Sequence, residues 1–193
     1  MRFTALVLAV AFMASAAPGA QNRASQQTTW EIEQGLLGLS NYGVFDFISF
    51  GVDRGTVTLA GYSYNGGLKS QAGHVVKRVP GVDTVDNRIE LLPASPNDDR
   101  IRWATFQKIY GDGFLSRYAP EGELGTRYEI LQARRFPGTQ PSGAYPIHII
   151  VKGGRTTLMG SVDSKADKFM AEVRAREVSG VFSIENALVV DGD

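Results

Sequence analysis

The sequence predicts an α+β protein of two tandem modules, each running helix, strand, strand, helix, strand, with a three-stranded sheet covered by two helices. Three observations predict it. Residues 48–91 align without a gap onto residues 147–190 at a constant offset of 99. Val52, Gly55, Thr58, Leu59, Gly61, Lys69, Ala72, Val79, Gly81, Val82 and Asn87 recur as Val151, Gly154, Thr157, Leu158, Gly160, Lys168, Ala171, Val178, Gly180, Val181 and Asn186. Glycine and asparagine recur where a backbone turn requires them, so the likeness is one of shape. Apolar spacing also switches from strand to helix period and back inside each copy. With 193 residues, 43% of them hydrophobic, the chain has material for two small packed cores.

Arg2, the apolar run from Phe3 to Met13 and the small-residue stretch from Ala14 to Ala20 follow the order of a secretory signal peptide over residues 1–20. The run is too short to span a bilayer, and no later segment is long enough. The expected product is exported, periplasmic or secreted, and carries no transmembrane helix. The first module is expected over residues 28–92. Thr28 and Glu31 form a capping box before a helix carrying Trp30, Ile32, Leu36 and Leu37, which Gly35 and Gly38 weaken. A strand over 44–52 meets a turn at Asp53-Arg54-Gly55, and 56–60 returns. A helix over 68–79 buries Leu68, Ala72, Val75, Val76 and Val79 on one stripe and ends at Gly81 in a left-handed cap. The third strand covers 84–92.

The second module, residues 95–193, repeats this order around an insertion at about 111–146. Ser95, Pro96 and Asp98 supply an N-cap, a first-turn proline and an N3 acid to a helix bearing Ile101, Trp103, Phe106, Ile109 and Tyr110. Gly111 to Pro146, mixed in Gly, Pro, aromatics and charge, reads as a long and partly ordered excursion. Strands at 147–151 and 156–159, a helix near 164–178, Gly180 and a last strand to Val190 complete the copy.

Composition excludes much chemistry. There is no cysteine, hence no disulfide, thiolate nucleophile or Cys-ligated zinc. Twenty basic residues balance twenty acidic ones without a basic cluster, which argues against nucleic-acid binding. His74 and His148 sit at non-equivalent positions, and His148, on an alternating strand, is expected to face outward. Asp98-Asp99 suits the helix dipole better than a metal. No nucleophile elbow, phosphate loop or zinc motif occurs. No catalytic, cofactor or metal residue is expected.

One feature separates the copies. On the second helix of module two, Ala166, Phe169, Met170 and Val173 add an apolar stripe, flanked by Lys165, Arg174 and Arg176. Module one has Gly67, Ser70, Gln71 and His74 there. Burial against the excursion or the other module is the commoner fate of such a stripe. The alternative is a wedge set into a lipid headgroup region beside cations. With four basic and four acidic residues over 163–178, that contact would rest on apolar insertion more than on net charge.

The text Gly55-Thr56-Val57-Thr58-Leu59-Ala60-Gly61, with Val79-Pro80-Gly81-Val82 and Asn87, resembles the BON domain family of bacterial osmotically induced and nodulation-type proteins. So does its second copy, Gly154 to Gly160 with Val178-Ser179-Gly180-Val181 and Asn186. Pro146 to Val151, followed by Ser161-Val162-Asp163, resembles exported BON proteins with a long insertion before the second sheet. The resemblance implies an α+β fold, export to the periplasm, association with phospholipid or other envelope components, and no catalytic residues. The expected function is non-enzymatic: contact with phospholipid or envelope surfaces in support of envelope integrity, in the setting of osmotic stress. The alternative is a protein-interaction module using the insertion's aromatics, Phe114, Tyr118, Tyr128, Phe136 and Tyr145.

Overall fold

The computed structural model describes residues 20–120, 122–135 and 138–192. But for Ala20, the expected signal peptide lies outside them. Contacts divide the described chain into two units, one of residues 20–42 and 48–91, the other of residues 43–47 and 92–192.

In the first unit α1 (Ala20–Leu37) precedes β1 (Phe47–Asp53), β2 (Thr56–Ser63), α2 (Gly66–Lys77), β3 (Thr84–Asn87) and β4 (Glu90–Leu91). The sheet order is β1-β2-β3, and β4 continues beside β2. Both β3 and β4 run parallel to β2, from Thr56 opposite Thr84 to Ser63 opposite Leu91. The core gathers Ile32, Leu36, Ile48, Leu59, Leu68, Val76 and Ile89.

Several boundaries differ from expectation, each for a local reason. Helix α1 starts upstream of Thr28, so no capping box forms there. Glu31 instead accepts from Gln27 within the helix, and the Thr28 hydroxyl donates to the Pro80 carbonyl at 3.1 Å. Gly35 does not merely weaken α1. A Cβ there would stand 2.6 Å from Cγ1 of Val75, so glycine lets α2 approach closely. Trp30, expected on the apolar face, is exposed. Helix α2 is closed by the N–H groups of Arg78 and Val79 on the carbonyls of Val75 and Val76, and Gly81 (φ 86°) follows, turning the chain towards β3.

The single strand expected over 84–92 breaks at Arg88-Ile89. Asn87 causes it: its Nδ2 donates to the Lys69 carbonyl of α2 at 2.8 Å and its Oδ1 accepts the Ile89 N–H at 3.2 Å. That brace buries Ile89. Asn186 repeats it on Lys168 and Leu188, at 2.8 and 3.4 Å. Repetition of this asparagine is thereby explained.

The second unit contains α3 (Pro96–Tyr110), a 3-10 turn (Ser116–Tyr118), α4 (Gly122–Arg135), β5 (Ile147–Lys152), β6 (Arg155–Val162), α5 (Lys165–Arg176), β7 (Ser183–Asn186) and β8 (Val189–Val190). The order is β5-β6-β7 with β8 beside β6. β5 pairs antiparallel with β6, from Ile147 opposite Gly160 to Lys152 opposite Arg155. The loop between them, Gly153-Gly154 (φ 59° and 74°), has both residues left-handed, as a two-residue hairpin loop of the primed kind requires. The insertion is more ordered than its composition suggests. It contributes α4, which Thr126 fixes to α3 through a hydroxyl donated to the Tyr110 carbonyl at 3.2 Å.

Residues 43–46 precede β1 as a turn and not as its first strand residues. They belong to the second unit's core. The Val44 N–H donates to Pro141 at 3.0 Å and its carbonyl accepts from Ile149 at 2.8 Å. The Phe45 ring, fully buried, meets Trp103 edge-on at 5.3 Å and Phe106 at 6.5 Å. His148 also departs from expectation. It is buried with its ring 5.6 Å from that of Phe47, and burial pushes its pKa down to about 4, although the backbones of Gly43 and Asp46 oppose that shift. Alternation failed to place it because residues 43–47 cover the face that a bare sheet would leave open.

Candidate functional site

The surface that distinguishes the second unit is built on α5. Ser164 caps the helix by accepting the Asp167 N–H at 3.2 Å. Asp167 is itself fully buried, at the position where module one has the core residue Leu68. The Ser164 hydroxyl donates to it at 2.7 Å, the Tyr118 hydroxyl at 2.9 Å, and Arg117 pairs with its other oxygen. Burial pushes the carboxyl up, but these three donors together outweigh that and hold it below its ordinary value. Burial and the neighbouring Asp167 push the Tyr118 hydroxyl upward. Further along, Arg174 pairs with Asp112 at 2.7 Å. The segment 112–117 is therefore tied to α5 at both ends, at Arg174 and at Asp167, and runs beside it. In the sequence Asp167 counts only among the four acids of residues 163–178, not as a core residue. Its signal is an acid aligned with a core leucine, which needs a buried donor set.

At 100° per residue, Asp167, Ala171, Ala175 and Val178 fall on the inward side. Phe169 and Val173 fall nearly opposite. Phe169 is 66% exposed and Ala166 is exposed, while Met170 and Val173 are half-buried. Burial, the commoner fate of such a stripe, is thus not that of its largest residue. Lys165 is exposed at the helix start. Arg174 is drawn to the flank by Asp112 and Glu177, and Arg176 pairs with Glu172 at 2.6 Å. Phe114, in the tied segment, is 51% exposed under the Arg117 guanidinium, 4.7 Å from its ring centre. Phe182, 77% exposed and 5.6 Å from the Arg155 guanidinium, lies beyond α5 near the hairpin. Sequence reading missed it, although the offset sets it against Asp83.

The insertion's aromatics divide. Tyr118 and Tyr145 are buried and serve the core, against their expected role in docking. Phe114 and Tyr128 are exposed, and Phe136 lies outside the described residues. Among the glycines, Gly55, Gly61, Gly81, Gly154, Gly160 and Gly180 all have positive φ, in matching pairs. Gly160 is the most constrained: a Cβ would stand 2.0 Å from the Pro146 carbonyl oxygen.

Among the described residues no three His, Asp or Glu side chains gather to hold a metal, and no helix is long and apolar enough to cross a membrane. Asp98, expected at N3 of α3, is buried and occupied by the hairpin loop, accepting from Gly153 and Gly154 at 2.9 and 2.8 Å.

Two α-β-β-α-β modules in one chain define a tandem small-domain protein. The BON domain model matches residues 46–93 and 133–192, more than half of the sequence, and the chain belongs to that family. It is similar to Osmotically-inducible protein Y of Escherichia coli (strain K12), 28% identical over 141 residues. That match takes in 73% of this chain and 60% of the relative. Two solved structures of CdsD, described as a structural protein of the type III secretion system of Chlamydia trachomatis, align at 16% and 15% identity. They cover 85% and 86% of this chain and 93% and 96% of theirs, with TM-scores of 0.27 and 0.24, too low to carry an argument.

Proposed function

We propose that the protein is a non-enzymatic component of the bacterial envelope, exported to the periplasm, which contacts phospholipid surfaces through α5 and supports envelope integrity under osmotic stress. The observation that carries this reading is Phe169. A large aromatic side chain stands mostly in water on an outer helix face, with Lys165 and Arg176 on the same helix, Arg174 held to the flank by Asp112, and Phe114 on the adjoining segment. Interfacial helices use this division of labour, in which apolar groups enter the acyl boundary and cations stay with the phosphates. Family membership and the likeness to an osmotically inducible protein support the setting.

Co-sedimentation of the protein with vesicles containing phosphatidylglycerol tests it. Removing an exposed two-thirds of a phenylalanine from water is worth about 1–2 kcal/mol, so Phe169→Asp should weaken vesicle partition by about five- to thirty-fold. Unchanged partition in that variant, or none in the parent, would refute the reading.

A protein partner is the second reading, favoured by Tyr128 and Leu131, one turn apart on α4 and each 58% exposed. Deleting the insertion would not test it, because Tyr118 and Tyr145 belong to the core. Tyr128→Ser with Leu131→Ser leaves the core intact. Partners still retained by this double variant would count against α4.

A further inference from the structure

Between α3, α4 and α5 lies an open cleft of about 700 Å³. We infer that it is a binding site for a small phosphate-bearing anion, distinct from the Phe169 face.

Among the described residues lining it, the charges do not cancel. Glu177 bridges Lys108 and Arg174 at 2.8 and 2.7 Å, and Asp112 takes the Arg174 Nε at 2.7 Å. Those two cations and two anions form a neutral frame. Arg100 and Arg127 also line the cleft and are left over. Among the described residues Arg100 donates to two neutral acceptors, the Ser179 carbonyl at 3.0 Å and the Asn97 side chain at 3.1 Å, which leaves other guanidinium donors unused. Arg127 is exposed and has no carboxylate partner among the described residues. Two uncompensated guanidinium forks match a dianionic phosphate better than a single carboxylate, because each fork can meet a separate pair of oxygens. Ala104 and Ile130 add an apolar wall for a short organic substituent. The volume suits a small molecule.

The other copy differs at the helix positions that line this opening. Val75 and Arg78 stand where the second copy has Arg174 and Glu177. In the first unit, Val75 closes α2 onto α1 over Gly35. In the second, Arg174 reaches instead to Asp112, and α4, which lies in the insertion, adds Arg127 to the lining.

Phosphate could arrive free in solution or as a lipid headgroup, and calorimetric titration of the full chain separates these. Inorganic phosphate and glycerol 3-phosphate are titrated at constant ionic strength into the parent and into Arg127→Gln, Arg100→Gln and Phe169→Asp. Saturable binding that falls about tenfold in Arg127→Gln, and stays unchanged in Phe169→Asp, establishes a site for soluble phosphates. No soluble binding, but loss of phosphatidylglycerol vesicle binding in Arg127→Gln with its thermal midpoint preserved, assigns the phosphate to a headgroup. Arg127→Gln and Arg100→Gln matching the parent in both assays overturns the inference, whatever Phe169→Asp does.

Discussion

Phe45 stands early in the sequence, yet its ring lies in the core of the C-terminal unit. Phe45→Ala should therefore unfold that unit preferentially. The side chain is fully buried and meets Trp103 at 5.3 Å and Phe106 at 6.5 Å, both nearly perpendicular. Truncating a buried phenylalanine costs about 3–5 kcal/mol, including lost edge-to-face contacts and the cavity left behind. Much of a typical domain stability of about 5–15 kcal/mol would be gone. Hydrogen exchange of the intact protein is the assay, because it resolves each strand. Amides of β5 and β6 that open only with the whole unit should lose about two to four decades of protection. Those of β3, held in the first unit by parallel pairing to β2, should keep theirs. If protection falls in β3 and holds in β5, residues 43–47 have been given to the wrong core.

Two further perturbations test the same packing. Asp98→Ala removes the acceptor for both hairpin N–H groups; water can replace it at exposed Gly153 but not at buried Gly154, so the loss should be about 1–3 kcal/mol. Asp98→Asn keeps one acceptor oxygen and should lose less in thermal unfolding; an order reversed between the two variants would discredit the role given to the carboxylate. His148 supplies a pH signature. Its folded pKa of about 4 lies below the ordinary 6.5, so the unfolded chain binds the extra proton between those values. Stability should then decline as pH falls from 6.5 to 4, by about 3 kcal/mol from this group, and the share owed to His148 should end there. Urea unfolding across that window should show the slope in the parent and not in His148→Gln; the same slope in both would place the titrating group elsewhere.

What was legible in the sequence was the part that depends on local spacing. The 99-residue repeat found both hairpin loops, both sheet-covering helices and the paired glycines, because turns and apolar periods are set by neighbouring residues. Non-local effects were not legible. Residues 43–46 carry strand-like side chains, but their partners are Pro141, Gln140 and Ile149, about a hundred residues away. His148 was misplaced for the same reason, since the cover over its face is that distant segment. Asn87 and Asn186 could be seen to repeat, but that they break the third strand required knowing which carbonyls lay beneath them. At the candidate site the apolar stripe was visible and its exposure was not. Exposure depends on how far the insertion reaches across α5, and Asp112 and Arg117 hold that segment to one flank.

Three differences on one helix bear on how the insertion is held. Asp167, Arg174 and Phe169 stand where the first copy has Leu68, Val75 and Ser70. The first change exchanges an apolar core contact for a charge that is tolerable only with donors around it, and Tyr118, Arg117 and Ser164 provide them. The second replaces an apolar helix contact with an ion pair to Asp112. Both new charges find partners in residues 112–118, at the start of the insertion. An insertion of this kind has to be anchored, and α5 carries its anchors on the inward side and the flank. The outward position, held by Phe169, is 66% exposed. That exposure is the surface which the proposed lipid contact would cover.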